Sequence, residues 1–242
     1  MPCPVNRTTA APVDGWWRRL GARLCPPRCL VCREPAAPGA DLCDACRDSL
    51  PWNDRACPRC AVPLPAGDAP CGACLRRPPP LRAAHAAFVY GFPLDRLLPR
   101  FKFHRDLSAG RLLAGAMAER FGALPRPDVL VAVPLHRARL RRRGYDQALE
   151  LATPLARALG LPLRTGVLLR TRDTAPQSEL DAGARRRNLR GAFAVAPGSV
   201  PPAHVVLVDD VMTTGATLHA AAKALHRAGV ARVDAWVCAR AP

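Results

Sequence analysis

The chain has 242 residues, 49% of them hydrophobic and 23% charged. This globular composition excludes a disordered chain and leaves room for one large domain, or a small one beside a medium one. The formal net charge is +17, and 34 of the 36 basic residues are arginine, a bias that attracts phosphates, nucleic acid or anionic surfaces.

No apolar run approaches ~20 residues, so no membrane-spanning segment is expected. The opening stretch, MPCPVNRTTAAPVDGWWRRL, lacks the apolar centre of a signal peptide, and a cytoplasmic location is expected. Residues 1–24 are expected to form a tail with a short helix around Trp16 and Trp17.

Ten of the 11 cysteines lie before residue 80. Eight form four CxxC pairs separated by ten residues each: Cys29/Cys32, Cys43/Cys46, Cys57/Cys60 and Cys71/Cys74. A CxxC turns two thiolates toward one point, which suits tetrahedral Zn2+. Two four-cysteine zinc ribbons over residues 25–77 follow, most simply with consecutive pairs sharing an ion; spacing leaves a crossed pairing open. A disulfide framework needs a secreted chain, and a redox pair would not occur four times. Four thiolates leave no open position for water, so both ions are expected to be structural. Cys3 and Cys25 are left over.

The stretch Arg76–Arg82, RRPPPLR, is a stiff proline boundary. Residues 1–80 carry 11 arginines against seven acids, whereas residues 81–242 carry 25 basic residues against 12 acidic ones, so the basic character belongs to the second part. There the apolar runs 83–90, 128–134, 167–169, 192–195, 204–210 and 232–239 read as strands. The stretches 94–103, 107–121, 145–159 and 216–228 read as helices, the third to be kinked or split by Pro154. Alternating strands and helices with continuous apolar strands predict an α/β fold, a parallel sheet flanked by helices over residues 81–242. The polar segment 171–191 is a long loop.

The chemistry concentrates in VVLVDDVMTTGATL, residues 205–218. Four apolar residues carry Asp209 and Asp210 to the C-terminal end of a strand, where open α/β sheets bind ligands. The following turn, Thr213, Thr214, Gly215, Ala216 and Thr217, opens a helix whose N–H groups and hydroxyls can cradle a phosphate. Two carboxylates beside a phosphate nest suit a ribose 5-phosphate. Capping alone explains one polar residue here, not the set. The run HRARLRRRG places Arg137, Arg139, Arg141, Arg142 and Arg143 together, as a solvated face, a pyrophosphate clamp or a nucleic-acid track. The histidines show no metal-ligand spacing.

This block resembles the PRPP loop of type I phosphoribosyltransferases. With FKFHRD (101–106), VAVPLHRARLRRRGYDQALELA (131–152), LLRTRDTAPQSELDAGARRRNLRGAFAV (168–195) and the CxxC-rich front, the chain resembles the ComF family, the ComFC/GntX-like proteins, over roughly residues 20–240. The resemblance implies a type I phosphoribosyltransferase-like domain preceded by a small double zinc-ribbon module. Asp209 and Asp210 would hold the ribose hydroxyls of PRPP, and Thr213 to Thr217 its 5-phosphate. Val133, Pro134 and Leu135 would lie under the pyrophosphate, with Lys102 reaching the site. Arg185, Arg186, Arg187 and Asn188 would meet the pyrophosphate from the 171–191 loop, and Mg2+ would bridge pyrophosphate and ribose. His104-Arg105-Asp106 departs from the family block, which often carries a glycine.

Two functions follow from the resemblance. The first is a Mg2+-dependent phosphoribosyltransferase acting on PRPP and an acceptor the sequence does not name. The second is a protein handling single-stranded DNA in natural transformation beside a ComFA-type helicase. The basic domain fits the second, while an aromatic content of 5% counts against a dedicated stacking groove.

Overall fold

The computed structural model describes residues 27–37, 39–66, 69–104, 106–172, 191–199 and 202–242. The expected helix within 1–24 and most of the 171–191 loop lie outside them. The chain divides into two compact units, Met1–Ser49 and Leu50–Pro242.

The first unit holds one ribbon, with helix α1 (Asp44–Asp48) starting directly after Cys43. The second unit opens with the other ribbon, and its α2 (Gly72–Arg76) starts directly after Cys71. The two ribbons repeat one local geometry. The bridge Arg28↔Pro35 recurs as Ala56↔Pro63. Arg33 and Ala61, each following the second cysteine of a pair, both take the left-handed conformation, at φ 70° and 55°. Their N–H groups donate to Cys29 O at 3.0 Å and to Cys57 O at 2.8 Å. This tight turn aims both thiols of a CxxC at one point.

The rest of the second unit is built on a parallel sheet of β1 (Ala84–Val89), β2 (Val129–Ala132), β5 (His204–Met212) and β6 (Arg232–Arg240), in the order β1-β6-β5-β2. Helices α3 (Leu94–His104), α4 (Leu107–Phe121), α5 (Arg137–Arg143), α6 (Gln147–Leu159) and α7 (Ala216–Arg227) accompany it. The short strands β3 (Leu168–Arg170) and β4 (Phe193–Val195) pair antiparallel.

Val205 to Val208 are all buried because helices cover both faces of the sheet. On one face Val205, Leu207 and Val233 pack with Leu218, Ala221 and Leu225 of α7. On the other, Phe121 of α4 meets Trp236 of β6 with ring centroids 5.2 Å apart, and α6 packs on β2 and β5.

Three elements depart from expectation. Helix α6 runs through Pro154 unbroken. Pro154 withholds one N–H, but Leu151, Ala152, Leu155 and Ala156 bury their side chains, and that burial outweighs a lost hydrogen bond. The arginine run forms the short helix α5, capped by His136 Nδ1 accepting from Ala138 N at 3.3 Å, with no buried residue. Strand β5 continues to Met212, past the expected end at 210.

The second ribbon is bonded to the sheet. Asn53 N donates to Ala87 O, Val89 N to Pro51 O and Ala84 N to Pro58 O, at 2.8 to 3.0 Å. Trp52 stacks on Phe88 at 4.6 Å between ring centroids, and Arg240 Nε donates to Cys60 O at 2.9 Å.

Candidate phosphate and metal sites

Strand β5 delivers Asp209 and Asp210 side by side, and the two-residue period of a strand turns them to opposite faces. Asp209 faces the α7 side, where it lines a small pocket with Met212, Thr213, Gly215, Ala216 and Thr217. The backbone of Gly215 favours glycine, and a side chain there would also push the ends of two neighbours aside. Its φ is +73°, and a Cβ there would lie 2.6 Å from Met212 Cε and 2.9 Å from His219 Nε2. Thr213 and Thr214 are exposed, and Thr214 Oγ1 accepts from Ala216 N at 3.4 Å. The N-terminal end of the 12-residue α7 thus opens onto the turn, with its dipole favouring an anion.

Both carboxylates are anchored. Asp209 Oδ1 accepts from Asp210 N at 2.9 Å, and Asp210 Oδ1 accepts from Val211 N at 2.5 Å. Burial, and after it the charge of Asp210, pushes the Asp209 carboxyl up to about 8. Asp210 is paired with Lys102, whose Nζ lies 3.0 Å from its Oδ2. The structure therefore brings Lys102 of α3 to the acidic pair.

Val133 N donates to Val208 O at 2.9 Å, which sets the 133–135 loop beside the acidic strand. Leu135 N donates to Asp146 Oδ2 at 2.9 Å, while Asp146 Oδ1 caps α6 by accepting from Leu149 N at 3.2 Å. Burial pushes the Asp146 carboxyl up, and Asp210 adds repulsion. Arg185, Arg186 and Arg187 lie outside the described residues.

Sequence reasoning missed Asp146 as the anchor of the loop. It also missed Tyr145 and Gln147, and named Arg143 only within the arginine run. Tyr145 OH donates to Phe101 O, and Arg143 Nη1 donates to Gln147 Oε1 at 2.6 Å. The available signal was the polar GYDQ stretch at the start of an apolar helix, where a capping Asp is expected.

The cysteines assemble as two consecutive sets, Cys29/Cys32/Cys43/Cys46 and Cys57/Cys60/Cys71/Cys74, each with its sulfurs within 4.8 Å of one another. Zn–S bonds of about 2.3 Å in a tetrahedron place sulfurs about 3.8 Å apart. Cys32 and Cys43 Sγ stand at 3.6 Å, and Cys60 and Cys71 Sγ at 3.7 Å. Both donor sets fit Zn2+.

The acidities agree with that fit. Burial raises Cys29, but the amides of Cys32, Cys43 and Val31 together win and bring it down to about 6. Burial and the neighbouring cysteines push Cys46 up to about 12. Cys57 falls to about 7 in the same way, its sulfur accepting from Cys71 N at 3.2 Å, while burial pushes Cys74 up. Four crowded thiols ionise together only around a cation.

Comparison with known proteins agrees with this layout. A double zinc ribbon domain model matches residues 21–75, and a phosphoribosyl transferase domain model matches residues 107–242. The chain is 38% identical over 222 residues to the DNA utilization protein YhgH of Escherichia coli (strain K12), covering 89% of this chain and 97% of the relative. The chain belongs to the ComF family.

Other ComF relatives are Competence protein F of Haemophilus influenzae, 38% identical over 69% of this chain and 77% of the relative, and Competence protein ComFC of Bacillus subtilis (strain 168), 30% identical over 62% and 61%. Among the described residues of this ComF chain, no helix is long and apolar enough to cross a membrane. Its two domain matches span the thiolate clusters and the acidic turn described above.

Proposed function

We propose that the chain binds PRPP with Mg2+ in the cytoplasm and transfers its phosphoribosyl group to an acceptor. The observation that carries this reading is the acidic end of β5 joined, through the glycine-enforced turn at Gly215, to the N-terminus of α7. A carboxylate and a phosphate nest in one pocket match the two ends of a ribose 5-phosphate.

In this reading Thr213 to Thr217 hold the 5-phosphate, and Asp209 and Asp210 hold the ribose hydroxyls. Val133, Pro134 and Leu135 back the pyrophosphate, and Arg185, Arg186 and Arg187 are the further cations expected there. Mg2+ would be held at the Asp209 and Asp210 end of the site and would supply positive charge to neutralise the leaving group. The two carboxylates suit it: burial and the charge of Asp210 raise the Asp209 carboxyl, and a divalent cation beside the pair would favour its ionised form.

No protein nucleophile is needed. As pyrophosphate leaves C1, positive charge develops on the ring, as in glycoside cleavage. Asp209 and Asp210 stabilise that charge, and Lys102, released from Asp210, offers a cation to the departing group. The fixed sugar and loop hold the reacting atoms in line.

The test is calorimetric binding of PRPP with Mg2+. The expected result is saturable binding to the zinc-loaded chain, lost in Asp209→Asn/Asp210→Asn. Absence of binding to the wild-type chain would refute the reading.

A second reading, handling of single-stranded DNA beside a ComFA-type helicase, is favoured by the exposed basic helix α5 and by the names of the relatives, a DNA utilization protein and two competence proteins. A strand held by its phosphates dissociates steeply with salt. Titration of a labelled oligonucleotide at rising salt checks this, and a salt-insensitive or absent interaction rejects it.

A further inference from the structure

Arg240, at the end of β6, is bonded at one side of its guanidinium to the second zinc ribbon and at the other to the candidate pocket. Its Nε donates to Cys60 O at 2.9 Å, and its Nη1 donates to Met212 O at 3.2 Å and to Ala241 O. The residue is half-buried, and its backbone is held: it pairs with Met212 of β5, and its carbonyl accepts from Tyr90 N at 2.8 Å. The acceptors of the side chain are all backbone carbonyls. The planar fork therefore ties separate stretches of main chain together.

Two of those carbonyls belong to peptides with a second task. A peptide is planar, so fixing its C=O also fixes the N–H of the following residue. The Cys60 carbonyl shares its plane with Ala61 N, which donates to Cys57 O at 2.8 Å and closes the CxxC turn of the second ribbon. The Met212 carbonyl, which also accepts from Ala241 N at 3.0 Å, shares its plane with Thr213 N, the first amide of the phosphate turn. Met212 itself lines the pocket with Asp209 and Gly215. One guanidinium thus joins the peptide behind a zinc ligand to the peptide that opens the phosphate turn.

We propose that Arg240 is a positioning residue through which zinc at the second ribbon raises the affinity of the β5–α7 turn for a sugar phosphate. The inference rests on the phosphoribosyl reading and adds what regulates its pocket. The two states are those of the ribbon. With zinc, four thiolates fold the 57–74 segment and present Cys60 O to Arg240; without zinc, the ligation that orders this segment is lost. Arg240 then lacks a fixed acceptor, and the Met212–Thr213 peptide is held less firmly. An amide that must be re-ordered on binding binds its anion more weakly. Linkage requires the converse: a sugar phosphate in the turn raises the zinc affinity of the second ribbon by the same factor. The first ribbon, in the other compact unit, serves as an internal control.

The test is equilibrium competition for zinc between the full chain and a chelator, with and without saturating ribose 5-phosphate. Thiol alkylation and peptide mass mapping tell the two clusters apart. Ribose 5-phosphate is expected to raise the zinc affinity of the Cys57/Cys60/Cys71/Cys74 set about tenfold and to leave the Cys29/Cys32/Cys43/Cys46 set unchanged. Calorimetry should show ribose 5-phosphate binding about tenfold more weakly once the second zinc is removed. Arg240→Lys keeps the charge without the planar fork, and Arg240→Gln keeps donors on a shorter stem. In both variants the effect of ribose 5-phosphate on zinc should vanish while the sugar phosphate still binds. An Arg240 that only supports the fold would lower zinc affinity or the melting temperature in these variants and leave that effect intact, which overturns the inference. A wild-type chain whose second-cluster zinc affinity ignores bound ribose 5-phosphate also overturns it, and this measurement needs no variant to fold. Failure of ribose 5-phosphate to bind the zinc-loaded wild-type chain is a separate result, which removes the phosphoribosyl reading and the coupling with it.

Discussion

In the proposed reading Asp209 serves a ligand, yet the free protein is better off without its charge. Burial and the neighbouring Asp210 push its carboxyl from an ordinary 3.8 up to about 8. Between about pH 4 and 8 the unfolded chain has released this proton while the folded chain keeps it, so folding stability falls as pH rises through that window. Asp209→Asn keeps the acceptor for Asp210 N and removes the titration. The expected outcome is a melting temperature about 2–4 °C higher than wild type at pH 8, with the difference vanishing near pH 4 and PRPP binding lost throughout. Thermal scans at the two pH values check this; a variant less stable than wild type at pH 8 would refute the account. Asp209 and Asp210 were legible in the sequence because an acidic pair ending an apolar strand has no core role. Asp146 was legible at most as a helix cap; its hold on the loop was not, because Leu135 N is 11 residues away and only the folded turn brings them together.

At the scale of elements, the end of α3 is held in place by a close approach that only glycine allows. A Cβ on Gly110 of α4 would lie 2.5 Å from Phe101 Cε2 and 2.8 Å from Cδ2, and Phe101 is fully buried and cannot yield. Two effects of Gly110→Ala oppose each other. Helix propensity favours alanine by about 1 kcal/mol, while overpacking a tight core costs about 1–3 kcal/mol. Because the contact is with a ring enclosed on all sides, overpacking wins. The expected outcome is a melting temperature lower by about 2–6 °C together with weaker binding at the Lys102 end of the site. A variant more stable than wild type would show that α3 shifts freely against α4. The same competition explains what the sequence revealed about elements. The period of α4 and α7 and the apolar runs of β2, β5 and β6 marked them, since each buries one face or both. Helix α5 left no such mark because it buries nothing, and Pro154 misled because packing of α6 overrides a local breaker.

Across the whole molecule, the four CxxC pairs announce two equal ribbons, yet one of them shares a compact unit with the sheet. Sequence spacing carries no information on this, because the bonds that join Asn53, Pro51 and Pro58 to β1 are made by backbone groups any residue supplies. Side chains add joints in Trp52 on Phe88, Arg240 Nε donating to Cys60 O, and Arg120 Nη2, which donates to Asn53 O at 3.2 Å and lies 3.1 Å from Asp54 Oδ1. Arg240 also donates to Met212 O at 3.2 Å, at the end of the strand that carries the acidic pair. Zinc at the second cluster therefore supports an edge of the sheet as well as its own loop, since ligand-coupled folding energy passes to whatever the ligated segment is bonded to. Replacing Cys57 and Cys60 by serine is expected to reduce zinc from two ions per chain to one. It should lower the melting temperature of the main transition by about 5–10 °C, the loss of roughly 2–4 kcal/mol of hydrogen bonds and aromatic packing. Hydrogen exchange gives the local reading: the amides of Ala84 and Val89, which donate to Pro58 and Pro51, should lose protection. Where the double variant fails to fold, graded chelation of the wild-type chain supplies the same comparison. Unchanged protection at Ala84 and Val89 after loss of the second zinc would mean that the ribbon's polypeptide, held by its bonds to β1, needs no metal to keep its place.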